Sequence, residues 1–338
     1  MIFIDDRNFP DNLSGIELVN RVGTRQITHA IHDIDGTYSL IRHWRPVMSR
    51  SLWHAMSGGL KPGYDLPEMV QEVSEKTDSE PLPETDSFCV ESAGLSALTQ
   101  MEWAIRRGIE MGTIPIPHCR LTTRDREINS EIVRRIWQGE EVFDQLGERK
   151  QIKAFIAEHT PRLFRLYEQV LNKVCRDKNL ARARMNQDEW LVSGSHRFMN
   201  HLYHNGVKNH FVTGAVIDLD SEGRPLMQGM YEEVLAVGFD IGPGREVEKL
   251  YGSTWDRKVP KRDVVKGLSG ELGIKGENIL IVGDGRAEIS AGVEIGAVTL
   301  SRIPMDARRD REIHIGLGTN YIVPDYTAPE LYRLFFAK

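Results

Sequence analysis

Two carboxylates two positions apart, Asp33 and Asp35, sit in the segment His32-Asp33-Ile34-Asp35-Gly36-Thr37, between a short apolar run and a glycine. A carboxylate at the end of a strand can attack phosphorus and hold the phosphoryl group, splitting one hard displacement into two easier ones. The second, on the turn, can give a proton to the leaving oxygen and later take one from water. Far along the chain, Gly283-Asp284-Gly285-Arg286-Ala287-Glu288 supplies two more acids, and Thr213-Gly214 supplies a hydroxyl beside an unhindered backbone N–H. Lys258 and Lys261 flank the start of a helix. Hard oxygen ligands suit magnesium, which is held by one or two carboxylates together with phosphate and water. Asp33 and Asp284 can provide those carboxylates, while a lysine and Thr213 can hold the equatorial oxygens as charge redistributes.

Each piece alone has an ordinary reading. Asp-X-Asp-Gly is also a turn sequence and the start of calcium loops. An EF-hand fails here because Leu40 and Arg42 occupy later ligand positions and no glutamate closes the loop. A tight turn would account for Gly283-Asp284-Gly285, a satisfied strand-end hydroxyl for Thr213, and solvation for the lysines. Their order, each at the end of an expected strand or the start of an expected helix, favours phosphoryl transfer. The remaining candidates are weaker. His196, His201, His204 and His210 invite a metal reading, but His201 and His204 lie on an amphipathic helix and lack an obvious carboxylate partner. Ser193-Gly194-Ser195 reads as a helix N-cap, and Arg176, Arg182 and Arg184 as a solvated helix face.

The elements that must position these residues alternate between two patterns. Gln26 to Asp33 reads as a strand, and residues 1–24 as either a small strand at Ile2-Phe3-Ile4 or a terminal strap. Helical spacing follows at Leu95, Leu98, Met101, Ile105 and Ile109, and again at Leu163, Leu166, Val170 and Val174. Thr160 and Pro161 are the expected start of the second of these helices. The Gly- and Pro-rich stretch 57–95 reads as a loop with one short helix. Beyond residue 190 come a helix over 195–205, a strand with a turn over 209–214 and a helix opened by Pro260 with Val264, Val265, Leu268 and Leu272 on one face. The strand 279–282, a helix from Ala287, a strand near 297–300, an apolar segment 321–323 and a last helix complete the series. Strand-helix alternation predicts a doubly wound, Rossmann-like parallel α/β sheet. Its ligands should gather at the carboxyl ends of the strands. The roughly 150 mostly helical residues after the first strand are too many for a loop in a compact domain. The expected division is therefore a catalytic core of residues 1–40 and 190–338 with an inserted, mainly α-helical domain of residues 41–189.

The elements Asp33-Ile34-Asp35-Gly36-Thr37, Phe211-Val212-Thr213-Gly214, a lysine before a helix, and Gly283-Asp284-Gly285-Arg286-Ala287-Glu288 resemble the four motifs of the haloacid dehalogenase superfamily, in order. The resemblance covers residues 26–40 and about 190–338 and implies that the inserted domain is a cap over the site. It implies Asp33 as nucleophile and Asp35 as acid/base. Thr213, Gly214 and a lysine would bind the phosphoryl group, with magnesium at Asp33, Asp35, Asp284 and Glu288. The register to the last motif favours Lys261 over Lys258. Glu288 stands where many relatives have aspartate, so that it reaches the metal through water or steadies the lysine. The implied activity is hydrolysis of a small phosphomonoester. Phosphomutase, phosphonate cleavage and non-catalytic binding of a phosphometabolite are the alternatives, and halide displacement is disfavoured by Asp35.

Bulk properties agree with a globular chain. Its 338 residues are 40% apolar and 27% charged, with a formal net charge of −6 that offers no electrostatic footprint for nucleic acid. No window approaches the roughly 20 apolar residues of a membrane span. Cys89, Cys119 and Cys175 are too few and too scattered for a disulfide framework, which fits a reducing cytoplasm. The expected partner is a small phosphorylated metabolite, with neither nucleic acid nor membrane.

Overall fold

The computed structural model describes residues 1–10, 12–13, 15–40, 43–255, 257–271 and 273–337. Arg42 and Leu272, weighed above, lie outside the described residues. The chain opens with β1 (Ile2–Asp5), β2 (Asn12–Leu13), β3 (Ile16–Leu18), β4 (Thr24–Ile27) and β5 (His29–His32). Seven helices follow: α1 (Trp44–Gly58), α2 (Pro67–Lys76), α3 (Pro83–Glu91), α4 (Ala97–Met111), α5 (Thr123–Trp137), α6 (Lys150–Leu171) and α7 (Asp177–Met185). Then come α8 (Ser195–His204), β6 (Lys208–Val216), α9 (Gly229–Ala236), β7 (Lys249–Ser253), α10 (Lys261–Glu271) and β8 (Ile279–Gly283). The chain ends with α11 (Arg286–Glu294), β9 (Val298–Arg302), α12 (Arg308–Leu317), β10 (Tyr321–Val323), α13 (Pro329–Leu334) and β11 (Phe335–Ala337). These elements form two compact units, one of Met1–Ile41, Leu180–Thr254 and Val259–Lys338, the other of Arg42–Asn179 with Trp255–Lys258.

In the first unit an eight-stranded sheet runs in the order β2-β3-β10-β9-β8-β5-β6-β7. Neighbours from β10 to β7 are parallel, and β3 closes one side antiparallel to β10. Its central strand β8 is buried along its whole length. Alternate β8 residues serve opposite faces, Leu280 and Val282 joining an apolar cluster with Phe198 and Phe211, and Ile279 and Ile281 joining another with Val265 and Ile289. A sheet buried on both faces, with helices supplying both covers, is the doubly wound α/β class.

The stretch Gln26 to Asp33 is not one strand. It divides at Thr28, with β4 in a separate antiparallel sheet of order β11-β1-β4 and β5 in the middle of the large one. The backbone at the break stays satisfied: Thr28 N–H donates to the Asn278 carbonyl at 3.0 Å, and its carbonyl accepts from Lys208 N–H at 3.0 Å. The start of the chain is tied in through Asp6, fully buried, whose carboxylate accepts from the N–H groups of Val22 and Gly23 (2.8 Å each) and from the Tyr321 hydroxyl at 2.7 Å.

The second unit packs around α4, most of whose residues are buried. Phe88 of α3 stacks on Trp103 of α4 with ring centroids 3.7 Å apart, and Trp137 of α5 meets both rings edge-on. Two expectations fail here. Residues 57–95 hold two helices, α2 and α3, because Pro67 and Pro83 sit in the first turn, where a missing N–H costs nothing. And Pro161 lies inside α6, which starts at Lys150, because the buried stripe Ile152, Ile156, Leu163, Leu166 and Val170 runs through it. A π-helical turn over Asn172–Arg176 joins α6 to α7, where Leu180 and Ala183 already belong to the first unit's core. Cys89 and Cys175 are buried and Cys119 is half-buried. Among the described residues no helix is long and apolar enough to cross a membrane.

Candidate active site

Strands β5 and β8 lie side by side, in parallel, with His32 opposite Val282. The residues that follow them therefore emerge at the same end of the sheet, and Asp33 N–H donates to the Val282 carbonyl at 2.9 Å. Lys261, the first residue of α10, is buried and sends its ammonium to Asp33 Oδ1 at 2.6 Å and toward Glu288 Oε2 at 3.5 Å. Glu288, in the first turn of α11, turns its other oxygen back to accept from Gly285 N–H at 2.7 Å. That contact caps the helix and aims the carboxylate at once. Oxygens of Asp33, Asp284 and Glu288 all lie within 4.8 Å of one another. Asp35 is not one of that trio, and its carboxylate accepts instead from the Ser39 hydroxyl at 3.3 Å.

The loop after β5 is held tightly against this cluster. Thr37 Oγ1, fully buried, stands 3.2 Å from Asp284 Oδ1 and 3.5 Å from Asp33 Oδ2. Arg302 donates through Nη1 to the Gly36 carbonyl and through Nε to the Pro324 carbonyl, both at 3.0 Å. The Tyr326 hydroxyl donates to the Thr37 carbonyl at 3.0 Å. Gly36 has φ 79°, and a Cβ there would collide with Asp284 Oδ2, so that two requirements select glycine. A Cβ on Gly283 would likewise strike Glu288 Cγ. Behind the loop, His32 is wedged between Asn209 Oδ1 (Nε2, 3.1 Å) and the Tyr38 hydroxyl (Nδ1, 2.8 Å). Burial keeps that ring neutral, its pKa lowered to about 3.

Among the described residues, three acids against one ammonium leave the site electrostatically unbalanced. Burial, followed by the charges of Asp33 and Glu288, raises the Asp284 pKa well above the usual carboxylate range. Glu288 is raised by burial, with Lys261 opposing. Burial alone would lower Lys261, but Asp33 and Glu288 beside it raise its pKa above the ordinary lysine value. Asp35 is pushed up to about 7 by burial, then by Glu233 and Asp33. A carboxyl poised near neutrality can serve as both acid and base.

The two lysines part company. Lys258 belongs to the second unit, where it pairs with Glu102 at 3.1 Å, and Glu102 in turn holds Arg106 at 2.8 Å. Thr213 and Gly214 lie on β6, the other neighbour of β5. This strand does not stop at Gly214 but runs to Val216, and its pairing with β7 shifts register between Val212 and Val216. Thr213 lies within that interval, and its hydroxyl oxygen accepts from Ala215 N–H at 3.0 Å, leaving its proton to donate.

The other sequence candidates are otherwise engaged. His196 bonds the Val237 carbonyl at 3.0 Å and His201 the Phe335 carbonyl at 2.6 Å. The Ser195 hydroxyl donates backward to Val192 at 2.6 Å while Gly194 occupies the N-cap, so neither serine caps α8 with its side chain. Arg176 pairs with Glu168 at 3.2 Å and Arg184 with Glu232. Thr37, Glu233 and Arg302 went without a role in the sequence reading. Extending the strand at 297–300 by two residues would have brought Arg302 among the polar residues at strand ends, whereas Glu233, inside α9, carries no such signal.

No family model matches the chain, and no curated protein matches it. Among solved structures the chain is similar to a hydrolase from Pseudomonas syringae, at 13% identity over 88% of this chain and 94% of that one, with a TM-score of 0.40. It is similar to a β-phosphoglucomutase from Clostridium difficile at 10% identity, over 90% of this chain and 95% of that one, with a TM-score of 0.44. It is also similar to a haloacid dehalogenase-like family hydrolase from Streptococcus pneumoniae at 13% identity, over 88% of this chain and 93% of that one, with a TM-score of 0.35.

Proposed function

We propose that this protein is a magnesium-dependent phosphatase that hydrolyses a small phosphomonoester through an aspartyl-phosphate on Asp33. The observation that carries this reading is the set of buried Asp33 and Glu288 and half-buried Asp284 around Lys261, at the carboxyl ends of two adjacent parallel strands. Asp33 Oδ attacks phosphorus and the bond to the ester oxygen breaks. Asp35, protonated, gives its proton to that oxygen, and the alcohol leaves. As carboxylate, Asp35 then takes a proton from water, whose oxygen displaces Asp33 from phosphorus and frees inorganic phosphate. Lys261 and the donors of Thr213 and Gly214 hold the transferring group's oxygens.

A divalent cation suits this donor set. The carboxylates of Asp33, Asp284 and Glu288 are close and hard, and burial, then the charges of Asp33 and Glu288, raises the Asp284 pKa. These three would hold magnesium, which when bound supplies charge neutralisation and polarises the phosphoryl oxygens.

A panel of small phosphate esters assayed for magnesium-dependent phosphate release tests the proposal. Release by wild type and none by Asp33→Asn is the expected result. Saturable ester binding by wild type with no release under any divalent cation would discard the hydrolase in favour of a binding protein.

A further inference from the structure

Unit two contains a groove between α1 and α2 with a volume of about 610 Å³, inside the roughly 300–1,000 Å³ of small-molecule sites. Each wall is one face of one helix. Arg50, Trp53 and His54 come from α1, and Met69, Val73 and Lys76 from α2, at spacings of three and four. A glycine-containing loop with Lys61, and Glu80, also line it.

Arg50 stands out among these residues. Its side chain is only 6% exposed, yet its Nε has no hydrogen-bond partner. Nη2 reaches the Ser79 hydroxyl at 3.1 Å, and Nη1 reaches Glu80 at 3.4 Å, a carboxylate whose own side chain is 63% exposed. A buried guanidinium normally finds close, directed acceptors for its fork. Here it has one hydroxyl acceptor, one long contact to a solvated acid and a buried Nε–H unmet. The neighbouring charges do not relieve it. Lys76 is occupied by Glu72 at 2.6 Å, and burial lowers the pKa of His54, favouring its neutral ring. Trp53, half-buried, with Met69 and Val73 opposite, offers apolar walls beside this under-paired cation.

We propose that the α1–α2 groove binds a small organic anion with a planar apolar body, its acidic group received by Arg50 in place of Glu80 and its body lying between Trp53 and the α2 wall. This site is independent of the phosphatase reading, since Asp33, Lys261 and Asp284 have no part in it.

The test is a fluorescence titration of the full chain with anilinonaphthalene sulfonate, an aromatic anion of that class. Saturable one-to-one binding is expected, tightened several-fold by Glu80→Gln, which removes the competing carboxylate. Arg50→Met should weaken it by roughly tenfold or more, as expected when a buried charge partner is truncated. Glu80 is on the surface, so Glu80→Gln keeps the test decisive if Arg50→Met fails to fold. Absence of saturable binding by wild type, or an affinity unchanged by Glu80→Gln, overturns the proposal.

Discussion

Lys261 Nζ stands 2.6 Å from Asp33 Oδ1, with both side chains almost wholly excluded from water. That pair, drawn from the start of α10 and the end of β5, sets the electrostatic character of the whole acidic cluster.

Asp33→Asn preserves the shape of the side chain and removes its nucleophilic oxygen. Phosphate release should fall by about three orders of magnitude or more. Circular dichroism should show an unchanged fold, and a variant that keeps a tenth of wild-type turnover would remove Asp33 from the nucleophile's role.

Lys261→Met strips the cluster of the only close ammonium among the described residues. Breaking a buried ion pair from one side costs about 3–5 kcal/mol. The loss should be greater at pH 8 than at pH 5. Asp284 and Glu288, whose folded-state pKa values are raised, take up protons more readily than free carboxyls as pH falls and repel each other more as it climbs. Added magnesium should restore part of the melting temperature. Melts that are identical at the two pH values would contradict this account.

Gly36→Ala meets two obstacles together, a left-handed backbone and Asp284 Oδ2. Strain of this kind costs about 1–3 kcal/mol. Asp284 must also move, so activity should drop more than stability does. Parallel measurement of turnover and urea midpoint would reveal a variant that loses only stability.

His210, on β6, is buried, lacks a hydrogen-bond partner at either ring nitrogen and stacks on His29 with centroids 6.0 Å apart. Burial, then His29, lowers its pKa to about 4. The unfolded chain takes up this proton near pH 6.5 and the folded one near 4. The stability it contributes is therefore full above about pH 6.5 and is lost as pH falls toward 4, at up to ~1.4 kcal/mol per pH unit. His210→Phe should flatten the acid limb of the stability curve. It should leave some slope, because His32 and His314 are lowered as well. A limb as steep as wild type would show that His210 is not an acid-sensitive element.

Strand-end chemistry was legible because it depends on local pattern. Apolar runs closed by Asp33 or by Gly283-Asp284 mark both the strand and its polar terminus, and Lys261 follows a proline that marks a helix start. What escaped is set by tertiary packing. Nothing local tells that Thr28 divides two sheets, since both halves are equally β-like and only their partners differ. Pro161 reads as a helix start, yet the apolar stripe on both sides carries α6 across it. Pro67 and Pro83 read as loop residues because the helices they open, α2 and α3, are short and rich in acids. Glu233 reaches Asp35's surroundings only through the docking of α9.

The pairing of β5 with β8 also governs when the site can exist at all. Thr37 and Asp284, which touch, are 247 residues apart in the chain, and every partner of β5 in the large sheet is C-terminal to it. A ribosome releases all of α1 to α7 before β6 or β8 is made. Until then β5 is an apolar strand with two open edges. Contacts so distant in sequence form late and slowly. In a refolding experiment helix signal should therefore return well before any property of the acidic cluster, and a chain cut short of residue 279 would have helices but no site.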